Sequence, residues 1–202
     1  MLLGPLELLP PSFYSRPTRA VARDLLGCLL VRQLNGERLS GVIVEAEAYI
    51  GESDLACHAK AGRTARTEVM YGRAGFSYVY FTYGMHWMLN VVTEEEGFPA
   101  AVLIRAIEPV EGVEVMKQLR QKTRETDLCS GPARLTQALS IARRHNGLDL
   151  CRASSELWIE RGDSESKKRI QATPRIGLGG TPEPWLSKPW RYFLAGNPHV
   201  SR

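Results

Sequence analysis

Glu45, Glu47, Tyr49 and His58 are the residues whose types and spacing could do chemistry together, and all fall in residues 41–58, GVIVEAEAYIGESDLACH. An ionised carboxylate can take a proton from water and can stabilise positive charge as it develops. A phenol or an imidazole can hydrogen-bond a ligand or stack on it. Side chains alternate between the faces of a strand, so Glu45, Glu47 and Tyr49 share one face, and Val42, Val44, Ala46 and Ala48 form an apolar back. The expectation is two carboxylates and a phenol looking out from a strand whose other side is buried. His58 follows after a glycine-broken polar loop. Glu45 and Glu47 would lie on the order of 6–7 Å apart by strand rise, a spacing that also admits a two-carboxylate glycosidase.

The elements that must position these groups can be read in turn. Ser15 predicts an N-cap, with Pro17 in the first turn, for a helix over 16–26 that Gly27 ends. Residues 28–34 read as an apolar strand. Asn35-Gly36 reads as a tight turn, since both accept positive φ, and the return strand carries Glu47 on a rigid hairpin. Residues 52–75 read as a long polar and basic loop with one helical turn. Residues 76–92, FSYVYFTYGMHWMLNVV, are the most aromatic stretch. Tyr78 and Tyr80 share one face and Val79 and Phe81 the other, until Tyr83-Gly84-Met85 interrupts. A glycine there implies a hairpin tip from which Tyr83 and Met85 project; a plain core hairpin is the alternative. Residues 100–107 read as a buried strand with Arg105 inside it, a charge that needs a partner, and Glu47 and Glu45 are the natural ones. Helices are predicted over 109–124 and 130–144, then short strands and turns around Arg175-Ile176-Gly177. One mixed α+β domain over 1–202 follows.

Composition narrows the class. A chain of 202 residues can bury one good core, and 44% hydrophobic with 24% charged residues is ordinary for a globular protein. The net charge of +4 leans only weakly toward an anionic partner. Clustering says more: Lys60, Arg63, Arg66 and Arg73 lie close together with only Glu68 opposing them. Cys28, Cys57, Cys129 and Cys151 include no CxxC pair, so reduced thiols in a cytosolic protein are expected. Cys57 beside His58 lacks a second ligand pair at zinc spacing, and neither metal nor cofactor is expected. The N-terminal MLLGPLELLPP has no basic start and is broken by prolines, unlike a signal peptide. No apolar run approaches the ~18 residues that would span a membrane.

Three features need one explanation: a carboxylate on a rigid strand with an arginine partner, several tyrosines and a histidine able to stack, and a glycine-kinked tip near a basic loop. Flat ligands on a polyanionic backbone fit all three. Bases stack on aromatic side chains while Arg and Lys hold phosphates. A wedge can fill the gap left by an extruded nucleotide, and a carboxylate near the extruded sugar can activate water.

The sequence resembles the alkyladenine DNA glycosylase family, also called the methylpurine or 3-methyladenine DNA glycosylases of the mammalian type. The resemblance runs from Phe13 and Ala22-Arg23-Asp24-Leu25-Leu26-Gly27 through Val44-Glu45-Ala46-Glu47-Ala48-Tyr49, His58, Tyr78-Val79-Tyr80, Tyr83-Gly84-Met85 and Asn90. It continues through Leu103-Ile104-Arg105, Cys129-Ser130-Gly131-Pro132 and Arg175-Ile176-Gly177 to Lys188-Pro189-Trp190-Arg191. It implies that Glu47 is the general base, and that Arg105 and the backbone near Ile176 hold the attacking water. Tyr49, His58 and Tyr80 would form the aromatic pocket, Asn90 would obstruct the exocyclic amine of normal guanine, and Tyr83 would intercalate with Met85 beside it. The implied fold is a single α+β domain: a curved mixed or antiparallel sheet, surrounding helices and a protruding, DNA-inserting hairpin. The implied partner is duplex DNA with a damaged purine, handled by a monomer without metal, cofactor or lyase activity. The implied compartment is the cytoplasm, at the nucleoid in a prokaryote, or the nucleus in a eukaryote.

Family members that carry a long polar N-terminal extension differ from this sequence, the loop after His58 reads as shorter and leaves Thr64, Arg66 and Thr67 unassigned, and Trp87 and Met88 vary the hairpin. A purine made cationic is already a fair leaving group, so Glu45 is expected to make structural hydrogen bonds rather than act as a second acid. Two rival classes are a non-catalytic stacking module and an enzyme of free nucleosides. Glu47 with Arg105 argues against the first, and the hairpin tip against the second.

Overall fold

In the computed structural model, which describes residues 7–152, 154–162 and 169–201, one long strand organises the sheet. β1 (Leu29–Leu34) turns at Asn35 and Gly36, whose φ angles of 50° and 87° suit a tight hairpin, into β2 (Glu37–Ile50). Along one edge β2 pairs with β5 (Ala100–Glu111). Its other edge is shared: β1 covers Glu37 to Val42, and β8 (Arg191–Leu194) covers Glu45 to Glu47. β3 (Ser77–Thr82) and β4 (His86–Val92) form a hairpin that joins β5 through β4. β6 (Leu157–Glu160) flanks β1, and β7 (Ile170–Thr173) flanks β8. These pairings are all antiparallel, so of the two sheet types expected the antiparallel one is found. The α-helices among the described residues are α1 (Pro11–Tyr14), α2 (Thr18–Asp24), α3 (Val113–Arg120) and α4 (Pro132–Ala138). α2 packs on β2 and β5, and α4 packs on β4 and β5, which makes the class α+β.

Ile43, Val44, Ala46 and Ala48 enter the main core with Leu89, Val91, Val102, Ile104, Leu135 and Leu139. Each valine, leucine or isoleucine among them stabilises by roughly 1.5–3 kcal/mol on burial. Together they fix the register of β2, because a slip of one residue would turn Val44 and Ala46 out of the core. Gly41 lies at a close crossing: a Cβ there would sit 2.8 Å from the Glu108 carbonyl oxygen. The pairing with β5 is irregular between Ile43 and Ala46, and Arg105 falls between paired positions. Bulges of this kind re-aim side chains, and the Arg105 guanidinium reaches both carboxylates of β2.

Several expectations are corrected. Glu45 and Glu47 do not look out, because Arg105, Arg191, Ser201 and the Ile176 N–H meet their carboxylates and both are fully buried. The helix expected over 16–26 is the shorter α2, Thr18–Asp24, with a separate α1 before it. Ser15 ends α1, its N–H bonded to the Pro11 carbonyl, and Pro17 precedes α2 with no side-chain cap. The helix expected from 109 begins at Val113, since Pro109 is held in β5 opposite Gly41 and the chain turns at Gly112 with φ 70°. The helix over 130–144 is the short α4, followed by Ser140 at φ 52° and a 3-10 turn over Arg143–His145. The long basic loop holds two 3-10 turns, His58–Ala61 and Glu68–Tyr71, rather than one. The N-terminal stretch read for a leader begins with residues 1–6, which lie outside the described residues. No helix among the described residues is long and apolar enough to cross a membrane.

Candidate active site

Glu47 is held by three donors drawn from three parts of the chain. Its Oε1 accepts the Ile176 N–H at 2.7 Å. Its Oε2 accepts the Tyr49 hydroxyl at 2.8 Å and Arg105 Nη1 at 3.2 Å. Burial, and then the adjacent Glu47, push the Tyr49 phenol well above its ordinary value, so it stays a donor. Burial works against the charge of Arg105, but Glu47 and Glu45 beside it hold the guanidinium above its ordinary value. The result is a carboxylate in fixed orientation with a cation and two neutral donors around it. Such a group can accept a proton from water and face a developing positive charge.

Tyr49, Arg105 and Ile176 also form part of the wall of a cavity of about 320 Å³. That is the size of a small-molecule site. Glu47 does not line the cavity; it lies directly behind these three residues. His58, Tyr80 and Asn90 line it too, with Cys57, Met70 and Met88 among the apolar members. His58 meets Tyr80 edge-on at 4.5 Å, and its Nδ1 lies 3.0 Å from the Tyr78 hydroxyl. Burial, then Arg66 and Lys60, lower His58 to about 4, so the imidazole is neutral at neutral pH. Asn90 Nδ2 donates to the Tyr78 carbonyl at 3.0 Å, which fixes its amide on the wall. Cys57, Met70, Tyr78 and Ala101 of this wall join Ala59 and Val92 in a second small core that keeps these rings in place.

The hairpin tip leaves the cavity at Tyr83. Tyr83 and Gly84 have φ of 52° and 68°, and Tyr83 is 79% exposed, Met85 68%. A non-glycine residue in the left-handed region is unusual, and an aromatic ring so exposed serves no core. Tyr83 lines the cavity mouth, whereas Met85 faces a neighbouring groove with His86, Trp87 and α4. In the basic loop, Arg63 is neutralised by Glu68 at 2.9 Å, and the Arg66 guanidinium stacks 5.0 Å from the Tyr80 ring. Among the described residues no cluster of three His, Cys, Asp or Glu side chains is placed to hold a metal ion.

Sequence reasoning missed four groups at this site. Arg191 and Ser201 bind Glu45 from the C-terminal segment, at 2.6 Å and 2.7 Å. Asp54 and Arg175 form a buried pair next to Glu47. Arg175 precedes Ile176 in the Arg-Ile-Gly run, and a charge before an apolar residue and a glycine was the available signal; Asp54 gave none.

The geometry defines a class first: a protein with a buried, oriented carboxylate behind an aromatic pocket for a flat group, with an exposed tyrosine at the mouth. Comparison with known proteins makes that specific. The family model for methylpurine-DNA glycosylase matches residues 12–198. A relative from Methanocella arvoryzae named "Putative 3-methyladenine DNA glycosylase" is 53% identical over 198 residues, covering 98% of this chain and 97% of its own. Relatives of the same name from Carboxydothermus hydrogenoformans and Myxococcus xanthus are 48% and 50% identical, covering 96% of this chain and 99% and 93% of their own. The chain belongs to the methylpurine-DNA glycosylase family.

Proposed function

We propose that this chain is a monofunctional DNA glycosylase that flips damaged purines out of duplex DNA and hydrolyses their N-glycosidic bond by the mammalian-type mechanism. The observation that carries the reading is Glu47, anchored by Ile176, Tyr49 and Arg105 behind a pocket those same residues help to line. In this reading Glu47 takes the proton of a water held between Arg105 and the Ile176 N–H, and the water attacks C1′ of the flipped nucleotide. Tyr49, His58 and Tyr80 stack around the base. Aromatic faces favour cations, and His58 is neutral, so purines made cationic by alkylation, 3-methyladenine and 7-methylguanine, suit the pocket. Ethenoadenine and hypoxanthine are the neutral candidates.

Asn90 excludes the 2-amino group of guanine, and Tyr83 fills the gap in the duplex with Met85 beside it. An exposed tip has no use with free nucleosides, which favours DNA as the partner. The enzyme works as a monomer, with residues 1–202 as one catalytic domain, in the cytoplasm at the nucleoid of a prokaryote. A lyase step needs an amine in the pocket, and the described residues lining the cavity include no lysine, so the product is an intact abasic strand. The test is incubation with a duplex carrying one ethenoadenine or one hypoxanthine, followed by alkali. Strand breaks only after alkali are expected. Breaks before alkali, or none at all with these lesions and with methylated DNA, would reject the reading.

A further inference from the structure

Behind the Glu47 site lies a charged pair that takes no part in the steps above. The side chains of Asp54 and Arg175 are both fully buried and meet fork to fork: Nη1 lies 2.6 Å from Oδ2, and Nη2 lies 2.9 Å from Oδ1. Asp54 also accepts the N–H groups of Ile50 and Ala56, at 3.2 Å and 3.1 Å. It thereby closes the turn that leads from β2 to Cys57 and His58. Arg175 donates to the carbonyls of Ala48 and Trp185, at 2.9 Å and 3.3 Å. Its guanidinium lies 4.7 Å from the Tyr49 ring centre and 5.0 Å from that of Trp190. Neither residue lines the cavity.

The pair thus holds both neutral donors of Glu47. Ile176 follows Arg175 directly, so anchoring the guanidinium to β2 and to Asp54 sets where the Ile176 N–H points. Tyr49 is packed under the same guanidinium, which fixes the ring whose hydroxyl reaches Oε2. Desolvating two charges is costly, and apolar side chains could join these segments as firmly. Apolar contacts are non-directional; a forked ion pair with four further hydrogen bonds defines an orientation. Catalytic groups need placement to within about 0.5 Å.

We propose that Asp54 and Arg175 are positioning residues for Glu47, governing the chemical step without touching DNA. This rests on the function proposed above. The test compares Asp54→Asn and Arg175→Lys with wild type in the full chain, using a duplex with a single lesion that the wild type cleaves. Single-turnover cleavage with saturating enzyme is expected to slow by ~10 to 10²-fold, as for a misplaced reacting group. The dissociation constant, measured in the Glu47→Gln background, should stay within about threefold, because the pair makes no DNA contact. In that same background, Asp54→Asn should slow residual cleavage by less than about twofold, since residues acting through one group are not additive.

A wild-type rate in both variants would overturn the proposal. So would equal slowing with Glu47 present and with Glu47→Gln, a loss lying wholly in binding, or loss of the near-ultraviolet circular dichroism of the fold in both variants. If the wild type cleaves no damaged duplex, the proposed function falls and the pair's role with it. If the wild type cleaves, Glu47→Gln does not and Asp54→Asn does at full rate, the pair's role falls alone.

Discussion

Glu45 and Glu47 stand two residues apart on β2, both fully buried and both bound to Arg105. Glu45 accepts four bonds: Arg105 Nε at 2.9 Å, Arg191 Nε at 2.6 Å, and the Ser201 N–H and hydroxyl at 2.7 Å and 2.8 Å. An ionised carboxylate offers about four acceptor sites, and Glu45 accepts that number of bonds, three at Oε1 and one at Oε2. Glu47 accepts three, and its fourth site has no partner among the described residues. The difference is one of cover. Glu45 is met by the Arg191 side chain and Ser201, whose donors converge on it; Glu47 lies one step along, behind the pocket wall. Burial and an arginine partner therefore do not mark a reactive carboxylate. In the function proposed, the reactive one is told by unused acceptor capacity beside a cavity.

The contrast can be broken most sharply by the same substitution at both positions. Glu45→Gln leaves Arg105 and Arg191 buried without their shared anion, and a broken buried pair costs roughly 3–5 kcal/mol. Denaturant titration should show that loss at an unchanged slope. Glu47→Gln keeps size and most hydrogen bonds but removes the base, so single-turnover cleavage should fall at least ~10²-fold while damaged duplex is still bound. Its stability should lie nearer wild type than that of Glu45→Gln. If Glu45→Gln is stable and inactive, or if Glu47→Gln cleaves within a few-fold of wild type, the two roles are reversed and acceptor count is not the guide.

The open side of the comparison extends to the hairpin tip. Tyr83 is exposed and backbone-strained while Phe81 and Trp87, just below it, pack tilted against each other at 4.8 Å. Tyr83→Ser should weaken binding to a lesion duplex by about tenfold, the range for losing one aromatic stack on a base. Melting should not move. A drop in melting temperature instead would place Tyr83 with Phe81 as a structural residue.

What could be read from the sequence follows from how local each signal was. The β1–β2 hairpin was legible because Asn35-Gly36 and alternating residues are neighbours, and the tip at Tyr83-Gly84 for the same reason. The pairing of Arg105 with the two carboxylates was legible from charge alone, since a buried arginine in an apolar strand needs an anion. The donor set around Glu45 was not, because Arg191 and Ser201 lie 146 and 156 residues further on. Pro109 read as a helix start until its pairing with Gly41 in the sheet overrode local preference. Asp54 and Arg175, 121 residues apart, needed the fold to bring them together.

Acid gives the smallest effect and tests whether both imidazoles are held neutral, one on the open pocket wall and one in the closed interior. His145 is sealed beside Arg32, whereas His58 is partly exposed at the cavity. Burial first, then neighbouring cations, lower each from 6.5 to about 4; the cations are Arg66 and Lys60 for His58, and Arg32 and Arg144 for His145. The folded protein therefore refuses protons that the unfolded chain takes up near 6.5. Above that value neither state is protonated and the histidines leave stability unchanged. As pH falls from 6.5 toward 4 the unfolded state binds more protons, so stability declines; below about 4 both states are protonated and this contribution levels off. Between about pH 7 and pH 5.5 the loss is on the order of 1 kcal/mol for a sealed histidine, and less for a partly exposed one screened by solvent. Urea titrations across that range should show the decline, and His145→Gln and His58→Gln should each flatten it while lowering stability at neutral pH. A slope that His145→Gln leaves untouched would mean that the interior imidazole is protonated in the folded state, and that the closed region tolerates charge as readily as the open one.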